Sequence, residues 1–289
     1  RMSLFGSKEE DGAQRQVRWN LIDSARLEVI PLKNLDSQLQ YLPEGSSVSV
    51  TASPAKTLED TWILSRKLSE RGFKPVPHLA ARMLTSETQL VSLISQLPEV
   101  GASELFLVGG DAPDPFGPFV DSIQVLESIL ALDHGLDHIG VTAYPDGHSF
   151  INETILSESL HAKQALLESA GLSGHASTQM CFDPAAIRGW LQRERDAGLT
   201  IPIRLGIPGA VDRAKLLSIG ARLGVGASLR FLKKNKSTVT RLFAPGGYNP
   251  NKLLRPLTGV VEPLGIEGLH IFTFNQIEKT EMWRRANLS

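Results

Sequence analysis

The sequence predicts a single (β/α)8 barrel. Three observations carry that prediction. Eight short β-branched or apolar runs alternate with longer stretches of helical periodicity, the signature of βαβ units and a parallel sheet. The chain has 289 residues, close to the roughly 250 that such a barrel needs as one domain. Its G-x-G, Gly224-Val225-Gly226, follows a helical stretch rather than a strand, which argues against a doubly wound dinucleotide-binding sheet.

The strand-like runs cover 26–32 (RLEVIPL), 47–52, 74–80, 104–110 (ELFLVGG), 138–145, 176–182, 201–208 and 269–275. Helical periodicity covers 54–71, 86–100, 118–133, 152–170, 184–197, 211–223 and 276–287. Ser86 with Gln89 three residues on, and Asp183 before Pro184, are helix start signals. Gly72, Gly101, Gly171 and Gly198 stand where helix C-caps belong. Residues 1–25 are polar and mixed and read as an N-terminal arm, with the barrel over 26–289. A long excursion, 224–262, precedes the last strand and is expected to hold extra helices over one barrel end.

Composition narrows the function classes. Thirty basic residues against thirty-one acidic ones give no polyanion-binding surface, so nucleic acid is not an expected partner. No apolar run approaches the roughly 18–20 residues that span a bilayer, and no secretory signal opens the chain, so a cytoplasmic location is expected. The single cysteine, Cys181, allows no internal disulfide and no cysteine-based metal cluster, and reads as an inert core residue.

In a barrel of this kind chemistry gathers at the carboxyl ends of the strands. Glu28, between Leu27 and Val29, is a carboxylate among apolar neighbours. It reads as a surface-edge Glu, as half of a salt bridge inside the barrel, or as a functional acid. Ser47, Ser49 and Thr51 form one small, polar face of the second strand, which suits either tight barrel packing or room for a ligand. His78 ends the third strand, Gly109-Gly110-Asp111 the fourth, and Ala143-Tyr144-Pro145-Asp146-Gly147-His148 the fifth. Gln179 belongs to the sixth run and Asn275 to the last. No H-x-x-x-H or H-x-H spacing joins the strand-end histidines His78 and His148, so no metal is expected. Four tryptophans and three tyrosines are sparse for a sugar cleft, and the mixture suits a planar heterocycle better.

At these residues the chain resembles the methylenetetrahydrofolate reductase family, in its short bacterial form. LEVIPLK, SVSVT, PHLAAR, LFLVGGDAP, VTAYPDGH, TQMCFD, RLGIPGA and GLHIFTFN follow the order of that family's motifs over about residues 26–285. The resemblance implies a TIM barrel that reduces 5,10-methylenetetrahydrofolate to 5-methyltetrahydrofolate with NADH or NADPH, by way of FAD. It implies Glu28 as general acid and Asp111 as the fixed charge beside the folate and the flavin. Gln179, Asp111 and Asn275 would bind substrate. Thr51, His78, Gly110, Asp111, Ala143, Tyr144, His148 and Lys163 would hold the cofactor. Family members commonly form homo-oligomers.

Four features depart from the pattern. Gly109 stands where the family has an arginine, Gln276 replaces another, Lys163 alone remains of a basic pair, and the first motif lacks the family's double phenylalanine and second proline. The anchors for an FAD diphosphate are therefore thinned. FAD is then held in another way, or hydride passes directly from the nicotinamide; a non-catalytic folate- or flavin-binding barrel is the third reading. Lys233, Lys234 and Lys236 read either as a solvated loop or as a contact for a polyglutamate tail or phosphate.

Overall fold

A computed structural model describes residues 10–148, 150–210 and 249–289. Eight parallel strands close into a barrel in sequence order: β1 (Arg26–Val29), β2 (Ser47–Val50), β3 (Lys74–Ala80), β4 (Glu104–Val108), β5 (His138–Ala143), β6 (Ser173–Thr178), β7 (Ile203–Pro208) and β8 (Ile266–Phe272). β1 closes the ring by pairing with β8, Glu28 opposite Phe272.

The strand pattern determines where the core lies. Successive side chains point to opposite faces of a strand. Leu27, Val29, Val48, Val50, Leu105, Leu107, Ile139, Val141, Leu205, Ile207, Leu269 and Ile271 are buried together with the apolar faces of the helices. The alternate residues, which face the lumen, are polar to an unusual degree for a barrel: Arg26, Glu28, Ser49, His78, Glu104, His138, His175, Ser177 and His270. The apolar core thus surrounds the sheet, and the lumen is left for charge.

Helices α2 (Leu58–Glu70), α3 (Glu87–Ser95), α4 (Leu97–Val100), α5 (Ser122–Leu130), α6 (Glu153–Ser169) and α7 (Pro184–Asp196) fill the connections from β2 to β7. Their starts are chemically marked. The Thr57, Ser86, Asp121, Asn152 and Asp183 side chains each accept a hydrogen bond from a first-turn N–H. Gly72, Gly101, Gly171 and Gly198 all take positive φ at the ends of helical segments, as expected of C-caps.

Several boundaries differ from expectation. No α-helix follows β1, where two short 3₁₀ turns (Lys33–Leu35 and Leu39–Tyr41) lead to β2. The 86–100 helix breaks at Gln96, just before Pro98. The expected 118–133 helix starts only at its Asp121 cap. β6 begins at Ser173, earlier than its apolar residues suggested. Gly174 is required there because a Cβ would lie 2.7 Å from the Ile139 carbonyl oxygen. β8 stops at Phe272 because Phe274 and Asn275 turn the chain with φ of 49° and 59°.

Within the stretch read as an arm, α1 (Gly12–Asp23) is a capped helix that buries Leu21 and Ile22. It packs on the C-terminal helix α9 (Ile277–Leu288), with Trp19 donating to the Leu288 carbonyl. Of the excursion, the described part holds a short helix α8 (Asn251–Leu254) and a 3₁₀ segment (Arg255–Val260). The expected 211–223 helix, Gly224–Gly226 and Lys233, Lys234 and Lys236 lie outside the described residues. No helix among the described residues is long and apolar enough to cross a membrane.

Candidate active site

Glu28 lies in the lumen. Its Oε2 is 2.6 Å from Nε2 of His270 on β8 and 3.8 Å from Nε2 of His78 on β3. β1 and β3 are not neighbours, so the second contact can only be made through the barrel interior. Ser49 on β2 completes the group, its Oγ 2.6 Å from the same Nε2 of His78. All four side chains are buried. The aromatic rings of Phe106 and Phe272 pack on the imidazoles, with Phe272 centred 5.0 Å from His270 and Phe106 4.7 Å from His78.

Burial sets the protonation of this cluster. It pushes Glu28 up to about 7, with His78 opposing, because a buried carboxylate has lost its water. The same loss drives His78 down to about 4, against the pull of Glu28, and His270 down to about 3, helped by the Arg26 and Arg204 charges. The site therefore holds an acid poised near neutrality between two imidazoles that stay neutral. That is the protonation a general acid needs.

A second polar layer lies towards the amino ends of the strands. Arg26 grips Glu104 with both terminal nitrogens, at 2.5 and 3.0 Å. His138 and His175 stack beside them, linked Nε2 to Nδ1 at 2.7 Å. Gly140 makes room for this packing, because a Cβ there would lie 2.6 Å from both the His175 and Phe106 rings. Within each of the trios Glu28–His78–His270 and Glu104–His138–His175 the donor atoms lie within 4.8 Å of one another, a spacing that a divalent cation could bridge. In both trios hydrogen bonds already tie these atoms to one another, to Ser49 or to Arg26.

At the carboxyl rim, Asp111, Tyr144 and His148 come together. The Asp111 charge acts on both rings, and Tyr144 meets His148 edge-on at 5.4 Å between centroids. Burial raises the Tyr144 pKa and lowers that of His148. Asp111 is exposed, beyond the end of β4. Arg82 holds the loop that follows it, donating to the carbonyls of Ala112, Pro113 and Val120 at 2.7, 2.6 and 3.1 Å.

Gly110 owes its bareness to the protein as well as to any ligand. Its φ is +94°, and a Cβ would lie 3.3 Å from that of Ala80. Gly109 has no such constraint: its φ is ordinary and a Cβ would meet nothing within 4 Å.

The other sequence-predicted residues divide into groups. The half-buried Gln179 receives β5 through its N–H on the Ala143 carbonyl, and its Oε1 accepts from Met180 N at 2.9 Å. Asn275 is fully buried and spends its amide on the Ile30 backbone, accepting at 2.8 Å and donating at 2.9 Å, which ties the exits of β1 and β8 together. Cys181 is buried, and burial pushes its thiol far up, in keeping with an inert residue.

The residues present fit an FAD only in part. The Thr51 hydroxyl is buried with no hydrogen-bond partner among the described residues, and Tyr144 with His148 offers a ring platform. The phosphate anchors do not fit. Gly109 brings no charge, and Gln276 is buried. Lys163 is buried in α6, where burial lowers it to about 8 against the pull of Asp121. His78 faces Ser49 and Glu28.

Sequence reasoning passed over His270, Arg82 and the His138–His175 pair. His270 lies two residues before Phe272, in the inward register of β8, facing the same lumen as Glu28, a placement that only the closed ring supplies.

Fold and site together define a closed (β/α)8 barrel with a buried acid–imidazole cluster in its lumen and an acidic, aromatic carboxyl rim. No family model matches the chain. Among solved structures it is similar to an uncharacterized protein from Clostridium thermocellum that binds two copies of 5-methyl-5,6,7,8-tetrahydrofolic acid. That match has a TM-score of 0.61 at 12% identity, over 93% of this chain and 98% of that one. Tryptophan synthase from M. tuberculosis aligns over 98% of this chain and 99% of its own, with 10% identity and a TM-score of 0.48. At 12% identity the likeness to the Clostridium thermocellum protein is one of fold.

Proposed function

We propose that this protein is a folate-reducing enzyme of the methylenetetrahydrofolate reductase type, taking 5,10-methylenetetrahydrofolate to 5-methyltetrahydrofolate with a reduced nicotinamide as the hydride source. One observation carries the reading: the lumen holds a buried carboxyl, Glu28, pushed up to about 7 and set between neutral imidazoles. The five-membered ring of the substrate opens to a 5-iminium cation only when a proton reaches N10, and Glu28 is the group poised to deliver it. The fixed charge of Asp111 at the rim would stabilise the cation that follows, and Gln179 would hydrogen-bond the pterin edge. The folate-binding neighbour of the same fold supports a folate ligand.

A second reading concerns the route of the hydride. FAD, when bound, would relay it from nicotinamide to folate. The open space at Gly109 and the burial of Lys163 instead favour direct transfer between nicotinamide and the iminium carbon, with no flavin between them.

Anaerobic NADH or NADPH oxidation with methylenetetrahydrofolate, set beside the visible absorbance spectrum of the purified protein, tests both. Turnover by a colourless protein supports direct transfer, and turnover by a yellow one supports FAD. No turnover with or without added FAD would reject the enzyme and leave a folate-binding barrel.

A further inference from the structure

We infer that His270 is a positioning residue for Glu28: its Nε2–H holds Oε2 of the carboxyl throughout the cycle and leaves Oε1 as the atom that carries the acid proton. This rests on the reading of Glu28 as general acid.

The argument starts from a distance. Nε2 of His270 and Oε2 of Glu28 are 2.6 Å apart, so one proton must lie between them. Two arrangements satisfy that. In one, Glu28 donates its own proton to a bare Nε2; in the other, Nε2–H donates to Oε2.

The first fails when Glu28 acts. Once its proton has gone to substrate, the carboxylate would face an imidazole lone pair at hydrogen-bond distance, with both groups buried away from bulk solvent. The second survives the transfer. The Nε2–H···Oε2 bond becomes charge-assisted as the carboxylate forms, and so stabilises the conjugate base. The acid proton then sits on Oε1 and passes from there to N10, leaving a carboxylate still held by His270.

The surroundings favour a neutral donor. Burial first, then the charges of Arg26 and Arg204, disfavour a positive charge on His270, with Glu104 opposing them. His78 and Ser49 face the pair from β3 and β2, and His175 contributes from β6. Phe106 and Phe272, with centroids 5.8 and 5.0 Å from that of His270, hold the ring in its plane. Nothing in this environment requires His270 itself to ionise.

Long-range proton–nitrogen NMR of the histidine rings at about pH 5.5, where Glu28 is protonated and His270 neutral, and again at pH 8 tests the tautomer directly, with the His270 signal assigned by its loss in His270→Gln. The Nε2–H tautomer is expected, and an Nδ1–H tautomer overturns the inference. Carbon NMR of the glutamate carboxyls, with Glu28 assigned by Glu28→Gln, supplies the second readout. Removing a donor to the charged form in His270→Leu should move the Glu28 titration upward by about one unit, roughly tenfold in proton affinity. His270→Gln, which keeps an amide donor, should stay near wild type and serves if the leucine variant does not fold. An unmoved or lowered Glu28 titration in His270→Leu, or a lowered one in His270→Gln, overturns the inference. Neither readout needs turnover, so failure of the reductase reading, seen as absent NADH oxidation, stays distinguishable.

Discussion

Glu28 on β1 and His78 on β3 meet across the lumen, Oε2 to Nε2 at 3.8 Å, although β2 separates their strands. β2 contributes to the same group through Ser49. A contact that skips a strand is available only to a closed barrel, and here it joins an acid to a base that burial keeps neutral.

Glu28→Gln keeps the size of the side chain and its reach to His270 but removes the transferable proton. Folate reduction should fall by about 10²–10⁴-fold while the fold is retained. Steady-state NADH oxidation together with a thermal melt checks this. Near-normal activity would remove the general-acid role.

The lumen histidines predict a steep acid limb of stability. His78, His270 and His175 are all held below their ordinary 6.5, so on acidification the unfolded chain takes up three protons that the folded one refuses. Glu28 works the other way. Its contribution is full below 4.5 and is lost as pH rises through about 7. Between about 4.5 and 5.5 the unfolded state therefore holds about two more protons on these groups, and stability should drop there by about 2–3 kcal/mol per pH unit on acidification. Urea midpoints across this range check the slope, which should steepen by about one proton in Glu28→Gln. A flat profile would contradict it.

The two glycines after β4 should respond differently to the same substitution. Gly110→Ala forces a side chain into positive φ against Ala80 and should cost about 1–2 kcal/mol. Gly109→Ala meets open space at ordinary φ and should be neutral or slightly stabilising. Chemical denaturation of the pair decides; equal costs would mean that the loop is not held as described.

Arg82 binds three carbonyls of the loop that carries Asp111. Arg82→Lys cannot span all three from one ammonium, so lysine should rescue little of what alanine loses. Both variants should show faster amide exchange over residues 109–121 and reduced kcat/KM, with β4 itself still protected. Protection of the loop at wild-type levels in Arg82→Ala would show that the clamp does not matter.

Much of the fold was legible before any coordinates. Periodicity placed eight strands in order, and Ser86, Asp183 and the C-cap glycines mark helix ends because capping is local chemistry. The sequence places β6 too late because Gly174 and His175 lack strand propensity; their place is set by what packs on them, the Ile139 carbonyl and Phe106. Glu28, Asp111, Tyr144 and His148 stood out as polar residues at or near strand ends. His270 did not, because a histidine inside an apolar run gives no sign of its partner 242 residues away.

The sequence by itself determined the alternation, the caps and the strand-end loops, all of which rest on contacts within a few residues. Only the tertiary structure decided that the lumen is charged, that Glu28 is held by His270, that Lys163 is buried in α6, and that Asn275 serves the backbone of Ile30. These depend on closure, which brings non-neighbouring strands face to face and removes their polar groups from water. Burial and approach across a lumen are properties of the closed ring, and no local window of sequence contains them.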